Sequence, residues 1–103
     1  MMKIGLSIPN EPSLALTLMK QCGVEYAVSH QTLQPVEGAP EDEQPWSLAS
    51  LTKRKQAYED LGFELAVIEG RPAMVKIKLA LPGRDEEIDV VCQMLRNMGK
   101  LGI

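Results

Sequence analysis

This sequence has few aromatic residues and no excess of positive charge. Phe, Trp and Tyr make up only 4% of the 103 residues, and 11 basic residues stand against 14 acidic ones, for a formal net charge of -3. A chain without a basic excess lacks the charge that would neutralise a phosphate backbone, so a nucleic acid is not an expected partner. The length allows one small domain and excludes a complete eight-unit (β/α) barrel, which needs roughly 250 residues.

Cysteine and long apolar runs are also scarce. The two cysteines, Cys22 and Cys92, lie far apart in the sequence, and neither has the nearby Cys or His residues of a zinc or redox motif. Because each falls on the apolar face of a predicted helix, we expect reduced, buried thiols, as in a cytoplasmic protein. No apolar run approaches the roughly 18 residues of a membrane span, and the apolar start of the chain is too short for a signal peptide. We therefore expect no membrane partner.

The pattern of apolar residues predicts three strands, each followed by a helix. Strands are predicted for residues 3–8, 24–29 and 63–68. Helices are predicted for residues 14–22 and 48–61, with Ser13 and Ser47 as N-caps, and for a segment that opens at Asp85. Residues 30–45, which contain three prolines and the acidic run Glu41-Asp42-Glu43, are predicted to form a long loop.

One junction recurs three times: a helix end, a glycine and the first apolar residue of a strand. It is found at Gly23, Gly62 and Gly102. It divides a single partial βα-repeat domain, residues 1–103, into units 1–23, 24–62 and 63–103. Alternating strands and amphipathic helices favour the α/β class, with helices packed on a parallel sheet. Three units leave both sheet edges uncovered, so we expect the first part of a larger βα-repeat protein that ends where a fourth strand is due.

Two expectations concern the helices. Trp46 either closes over a ligand or packs as a hydrophobic staple before the second helix, which is the interpretation we favour. Lys53, Arg54 and Lys55 are expected to face water near the middle of that helix. The apolar stripes of the first and third helices are expected to face the core, and they comprise Leu14, Leu18 and Cys22, and Ile88, Val91, Cys92, Leu95 and Met98.

The candidate site residues follow the strands, because ligands of parallel βα proteins bind at the carboxyl ends of the strands. His30, the only histidine, comes directly after the second strand. It could bind a sugar hydroxyl, transfer a proton or bind a metal, or it is simply an exposed loop histidine. Glu69, after the third strand, either orients substrate hydroxyls or a metal-bound water, or ends the strand in solvent. Arg71 is a candidate for binding a carboxylate or phosphate, with a solvated loop as the alternative.

From Trp46 onward the sequence resembles the N-terminal part of the mannonate dehydratase family. The resemblance is carried by Trp46-Ser47 leading to Lys53-Arg54-Lys55, Val67-Ile68-Glu69 with Pro72, Ile77-Lys78, and Leu81 to Ile88. Upstream, Gly5 and Pro9-Asn10-Glu11-Pro12 resemble the family's Gly-Pro-Asn-Asp-Pro, and His30 falls where the family has a histidine after its second strand. The resemblance implies the first part of a xylose-isomerase-like TIM barrel.

The resemblance also implies a reaction for the complete protein: removal of water from D-mannonate to give 2-keto-3-deoxy-D-gluconate in hexuronate breakdown, by a carbon–oxygen lyase that uses a divalent ion such as Mn²⁺. By resemblance, His30 and Glu69 line the mouth that binds the sugar-acid substrate, and Arg71 is a candidate for its carboxylate. The family's metal ligands come from later strands. We therefore expect this chain to supply no metal ligand, to bind no metal and to be inactive alone.

Two alternatives stay open. Met74, Val75 and Lys76 replace a His-Glu-Asp cluster of the family, which favours a fragment of a related sugar isomerase or epimerase. A non-catalytic βα module that covers its sheet edges by oligomerisation is the alternative of another class. The expected protein partner is accordingly a second copy of this chain or the remainder of the barrel.

Overall fold

The computed structural model describes residues 2–103 and shows an α/β fold with one open parallel sheet. The strands are β1 (Gly5–Ser7), β2 (Tyr26–Ser29) and β3 (Glu64–Ile68), in the spatial order β1-β2-β3. The helices are α1 (Leu14–Gln21), α2 (Leu48–Asp60), α3 (Val75–Lys78) and α4 (Arg84–Leu101), and a short 3₁₀ turn spans Glu41–Glu43. The predicted fold class, βα units on a parallel sheet, is confirmed.

The serine N-caps predicted from the sequence are confirmed as well. Ser13 Oγ accepts a hydrogen bond from the Leu16 amide (3.4 Å), and Ser47 Oγ accepts one from the Ser50 amide (3.1 Å). Each bond satisfies an amide that the first turn of a helix leaves without a partner. Helices α1 and α2 therefore begin at the predicted residues.

The strands are shorter than predicted, and one helix is not visible in the sequence pattern. β1 covers only part of the predicted residues 3–8, because it pairs with β2 along one side and has no neighbour on the other among the described residues. α3 has four residues, too few to show a helical repeat. Its Ile77 amide donates a hydrogen bond to Glu87 Oε2 (3.1 Å) on α4, so this turn depends on a contact distant in sequence.

Two apolar clusters hold the helices in place. The first packs α1 and α2 against the sheet and is formed by Ile8, Leu16, Ala27, Tyr58, Phe63 and Leu65. The second joins the loop after β2 to α2 and α4 and is formed by Leu33, Trp46, Leu51 and Met94. Trp46 is 6% exposed and shares this cluster with Leu51, the fourth residue of α2. This is the geometry of a hydrophobic staple, so that prediction is confirmed.

The prediction that the apolar stripes face the core is wrong for α1 and only partly right for α4. Leu14 and Leu18 on α1 are 75% and 51% exposed, and Leu95 on α4 is 56% exposed. α1 buries Leu16 instead. On α4, Met98 packs against the second cluster and Val91 and Cys92 are partly buried, so only Ile88 and Leu95 of the predicted stripe are exposed.

The prediction of buried thiols is also wrong in part. Both cysteines are free, but Cys22 is exposed at the end of α1, on the uncovered stripe, and Cys92 is only partly buried. Within residues 2–103, none of the helices combines the length and the apolar composition needed to cross a membrane.

Candidate functional site

The pairing register of β2 and β3 brings His30 and Glu69 together. The two strands pair Ser29 with Ile68, so the residues that follow lie side by side at the carboxyl edge of the sheet. This register depends on a β-bulge in β3, where Ala66 has no partner between two paired positions. Without the extra residue, the alignment would shift by one position and His30 would lie beside Ile68.

The side chains of these two residues are in direct contact. His30 Nδ1 lies 2.9 Å from Glu69 Oε2, and the two side chains are 51% and 63% exposed. Because a carboxylate can only accept, Nδ1 carries the proton in this contact, and Nε2 of the neutral imidazole remains an acceptor. A pair this exposed adds little to stability. The arrangement leaves Nε2 and the second carboxylate oxygen free of this contact and able to bind a ligand.

An open cleft of about 520 Å³ lies beside His30, at the carboxyl ends of β1 and β2. Its polar lining includes Ser7, Asn10, Glu11, His30 and Gln31. Hydroxyl, amide, carboxylate and imidazole groups together supply the donors and acceptors that bind the hydroxyls of a sugar. A larger groove of about 790 Å³, between α2 and α4, contains none of the predicted site residues. The smaller cleft is therefore the candidate site.

The structure does not bring Arg71 into contact with the pair. Its carbonyl accepts a hydrogen bond from Gln34 Nε2 (3.1 Å), which ties the loop after β3 to the loop after β2. Its side chain is exposed and forms no ion pair with any residue of the described chain. The assignment of Arg71 to a substrate carboxylate stays a prediction.

Arg54 reaches the site from α2, although the sequence predicted that it faces water. Its Nη1 and Nη2 donate to the carbonyls of Gln31 (3.3 Å) and Thr32 (3.4 Å), directly after His30. Burial lowers the pKa of the Arg54 guanidinium from its ordinary value, while the nearby Tyr58 raises it. The side chain stays charged at any ordinary pH, so a partly desolvated positive charge lies behind the loop that carries His30.

Lys55 likewise does not simply face water. Its Nζ donates to the Leu101 carbonyl (2.6 Å) and so binds the last turn of α4 to the middle of α2. Of the three consecutive basic residues, Lys53 alone is exposed as predicted.

Gly70 allows the loops after β2 and β3 to approach each other closely. The Gln31 carbonyl lies against the Gly70 backbone, and a Cβ at this position would overlap the carbonyl oxygen. The φ of Gly70 lies outside the left-handed region. Space, rather than backbone conformation, therefore requires glycine here.

The described residues do not fit a manganese site by themselves. Within residues 2–103, no group of three or more His, Cys, Asp or Glu side chains could hold a metal ion. His30 and Glu69 have suitable chemistry, but they are only two groups, and a metal would need further ligands. Val75 and Lys76 lie exposed on α3 and add no acidic or imidazole group.

Comparisons with known proteins give one consistent result. The sequence profile of the family described as D-mannonate dehydratase (UxuA) matches residues 3–103. A mannonate dehydratase from Streptococcus pneumoniae is 40% identical over 60 residues, and one from Streptococcus equi subsp. zooepidemicus is 38% identical over 60; each match covers 58% of this chain and 16% of the relative. One from Thermotoga petrophila is 38% identical over 58 residues, 56% of this chain and 16% of the relative. No solved structure matches.

Proposed function

Since this chain belongs to the D-mannonate dehydratase family, we propose that it supplies part of the substrate mouth of a hydro-lyase acting on D-mannonate. The complete enzyme removes water from D-mannonate to give 2-keto-3-deoxy-D-gluconate, a step of cytoplasmic hexuronate breakdown. The observation that carries this proposal is the 2.9 Å contact of Glu69 with His30, which lines the open cleft at the carboxyl ends of β1 and β2.

The pair is suited to bind neighbouring hydroxyls of a sugar acid. Neutral His30 accepts a hydrogen bond at Nε2 and, once protonated, donates one there, while the free oxygen of Glu69 accepts from a second hydroxyl. Dehydration requires a proton to leave a carbon and another to reach the departing hydroxyl. His30 can hold such a proton at Nε2 while Glu69 fixes the plane of the ring. Arg71 would bind the substrate carboxylate with its guanidinium fork.

Mn²⁺ is proposed for the complete protein from the family resemblance alone. Because the described residues do not fit such a site, its ligands would come from other strands of the barrel, and no step assigned to this chain depends on it. We expect the purified 103-residue chain to show no mannonate dehydration with added Mn²⁺. Turnover by rigorously purified chain would contradict the proposal that essential groups lie elsewhere.

Two observations favour competing functions. The exposed, non-acidic Val75 and Lys76 favour a sugar isomerase or epimerase of the same barrel type. The exposed apolar side chains of Leu14 and Leu95 favour a module that binds a second copy of itself. Sedimentation of the chain separates the second case, because a defined dimer favours the module and a monomer favours a part of a barrel.

The proposed function is tested in a chimera in which this chain replaces the matching segment of the Streptococcus pneumoniae relative. Glu69→Gln is compared with Arg84→Gln, whose guanidinium lies on α4 near Asp85 and takes part neither in the cleft lining nor in the contact with His30. Losing a charged hydrogen bond to substrate costs about 1.5–3 kcal/mol, or roughly 10- to 100-fold in kcat/KM. We expect that loss for Glu69→Gln alone. Equal effects of the two substitutions would contradict a role of Glu69 in the mouth.

A further inference from the structure

We propose that Arg54 is a positioning residue which, together with Gly70, holds His30 in contact with Glu69. The effect on substrate rests on the proposed function of the pair, whereas the geometric effect is measurable without any substrate.

Arg54 acts on the backbone immediately after His30. Its guanidinium donates to the carbonyls of Gln31 and Thr32, one and two residues beyond the histidine. A guanidinium presents its donors in a rigid planar fork, so two carbonyls bound to one fork cannot move independently. Because the backbone that follows His30 is fixed in this way, the direction of the imidazole is restricted at its own Cα.

Gly70 restricts the same contact from the loop after β3. The Gln31 carbonyl that Arg54 binds also lies against the Gly70 backbone, directly after Glu69. One carbonyl group is therefore held between α2 and the loop after β3. The consequence is that the backbones carrying His30 and Glu69 are brought together one residue beyond each side chain.

The charge of Arg54 is otherwise unmatched, which is why the carbonyl contacts matter. Arg54 takes part in none of the ion pairs found among residues 2–103, although burial removes part of its hydration. Two carbonyl dipoles replace the lost water, and a desolvated donor makes such bonds costly to break. A fully hydrated arginine would leave the loop free to move.

The same helix also fixes the neighbouring strand. Tyr58, one turn beyond Arg54 on α2, donates its buried hydroxyl to the Ile8 carbonyl (2.8 Å) at the end of β1. Arg54 and Tyr58 together attach the carboxyl ends of β1 and β2 to one rigid helix. The geometry of the cleft is therefore set in part by α2.

His30 is the only histidine, so its ring nitrogens give the only imidazole signals in a ¹⁵N spectrum of the uniformly labelled chain. With Glu69 as acceptor, the neutral ring of the unsubstituted chain should be protonated mainly at Nδ1, whereas free histidine favours Nε2. Glu69→Ala serves as the reference for a broken contact. We expect Arg54→Gln to change the majority form from Nδ1–H to Nε2–H, as Glu69→Ala does, and the adjacent exposed control Lys53→Gln to leave it unchanged.

A merely structural role of Arg54 would give a different result. Arg54→Gln would then lower the melting temperature but keep the Nδ1–H form, and this outcome would overturn the proposal. If Arg54→Gln does not fold, Arg54→Lys decides, because an ammonium lacks the planar fork: we expect a reduced Nδ1–H fraction, and an unchanged fraction would refute the proposal. If the chimera fails to turn over mannonate while the labelled chain responds as expected, the proposed function is wrong and the positioning role stands.

Discussion

The substitution Gly70→Ala tests the close approach of the two loops at the candidate site, because two physical effects of opposite sign compete there. The φ of Gly70 lies outside the left-handed region, so alanine suits the backbone. Reduced freedom of the unfolded chain should then stabilise the protein by about 0.4–1 kcal/mol. The added Cβ, however, would overlap the carbonyl oxygen of Gln31. Overlap with a backbone atom cannot be relieved by a side-chain rotation, and overpacking costs about 1–3 kcal/mol.

The net expectation for Gly70→Ala is a loss of about 1–2 kcal/mol in the free energy of unfolding. Each kcal/mol corresponds to about 4–8 °C for a domain of 60–100 residues, so the melting temperature should fall by roughly 5–15 °C. Thermal unfolding followed by circular dichroism measures this directly, and urea unfolding gives the same free energy without heating.

Gly99→Ala is the matched control. Gly99 lies in α4, and a Cβ built there meets nothing within 4 Å. Glycine inside a helix costs about 0.5–1 kcal/mol relative to alanine, so Gly99→Ala should raise the melting temperature. A rise for both variants would refute the proposed close approach of Gln31 to Gly70.

Two further substitutions test the attachment of α2 to its surroundings. Tyr58→Phe removes the donor to the buried Ile8 carbonyl and should cost about 1–2 kcal/mol in the free energy of unfolding. The control is Tyr26→Phe, the same change on a side chain with no hydroxyl hydrogen bond among the described residues, and its effect should stay within about 0.5 kcal/mol. Equal losses in urea titrations would argue against the Ile8 contact. Ser47→Ala removes an N-cap whose hydroxyl also donates to the Asp42 carbonyl (2.7 Å) and should cost about 1–2 kcal/mol. Ser13→Ala, which breaks a longer capping bond of 3.4 Å, should cost less in the same titrations, and the opposite order would contradict the assignment.

Much of the local structure was predictable, because caps and strand ends are determined by short stretches of sequence. Ser47 and the residues around it specify the start of α2, and His30 and Glu69 each follow a short apolar strand. Their contact was not predictable. It depends on the unpaired Ala66, and a bulge of one residue leaves no mark in the apolar pattern.

The partly buried position of Arg54 could have been predicted from the helical repeat of α2. It lies three residues after Leu51 and four before Tyr58, both fully buried, so the 3.6-residue repeat places it on the buried face of α2. Its charge favoured an exposed position instead. Which carbonyls it reaches could not be predicted, because that depends on the path of the loop after β2.

The exposure of Leu14 and Leu18 could not be predicted, for a different reason. Periodicity shows that Leu14 and Leu18 share one face of a helix, but it does not say which neighbour covers that face. In residues 2–103 nothing covers it.

The most direct test of the His30–Glu69 pair is a double-mutant cycle on mannonate turnover in the chimera described above. If the two side chains act as one unit, His30→Gln and Glu69→Gln should each lower kcat/KM by roughly 10- to 100-fold. The double substitution should then lower it by no more than a few-fold beyond the larger single effect. Losses that multiply in the double variant, or single variants with unchanged kcat/KM, would contradict a paired role in the substrate mouth.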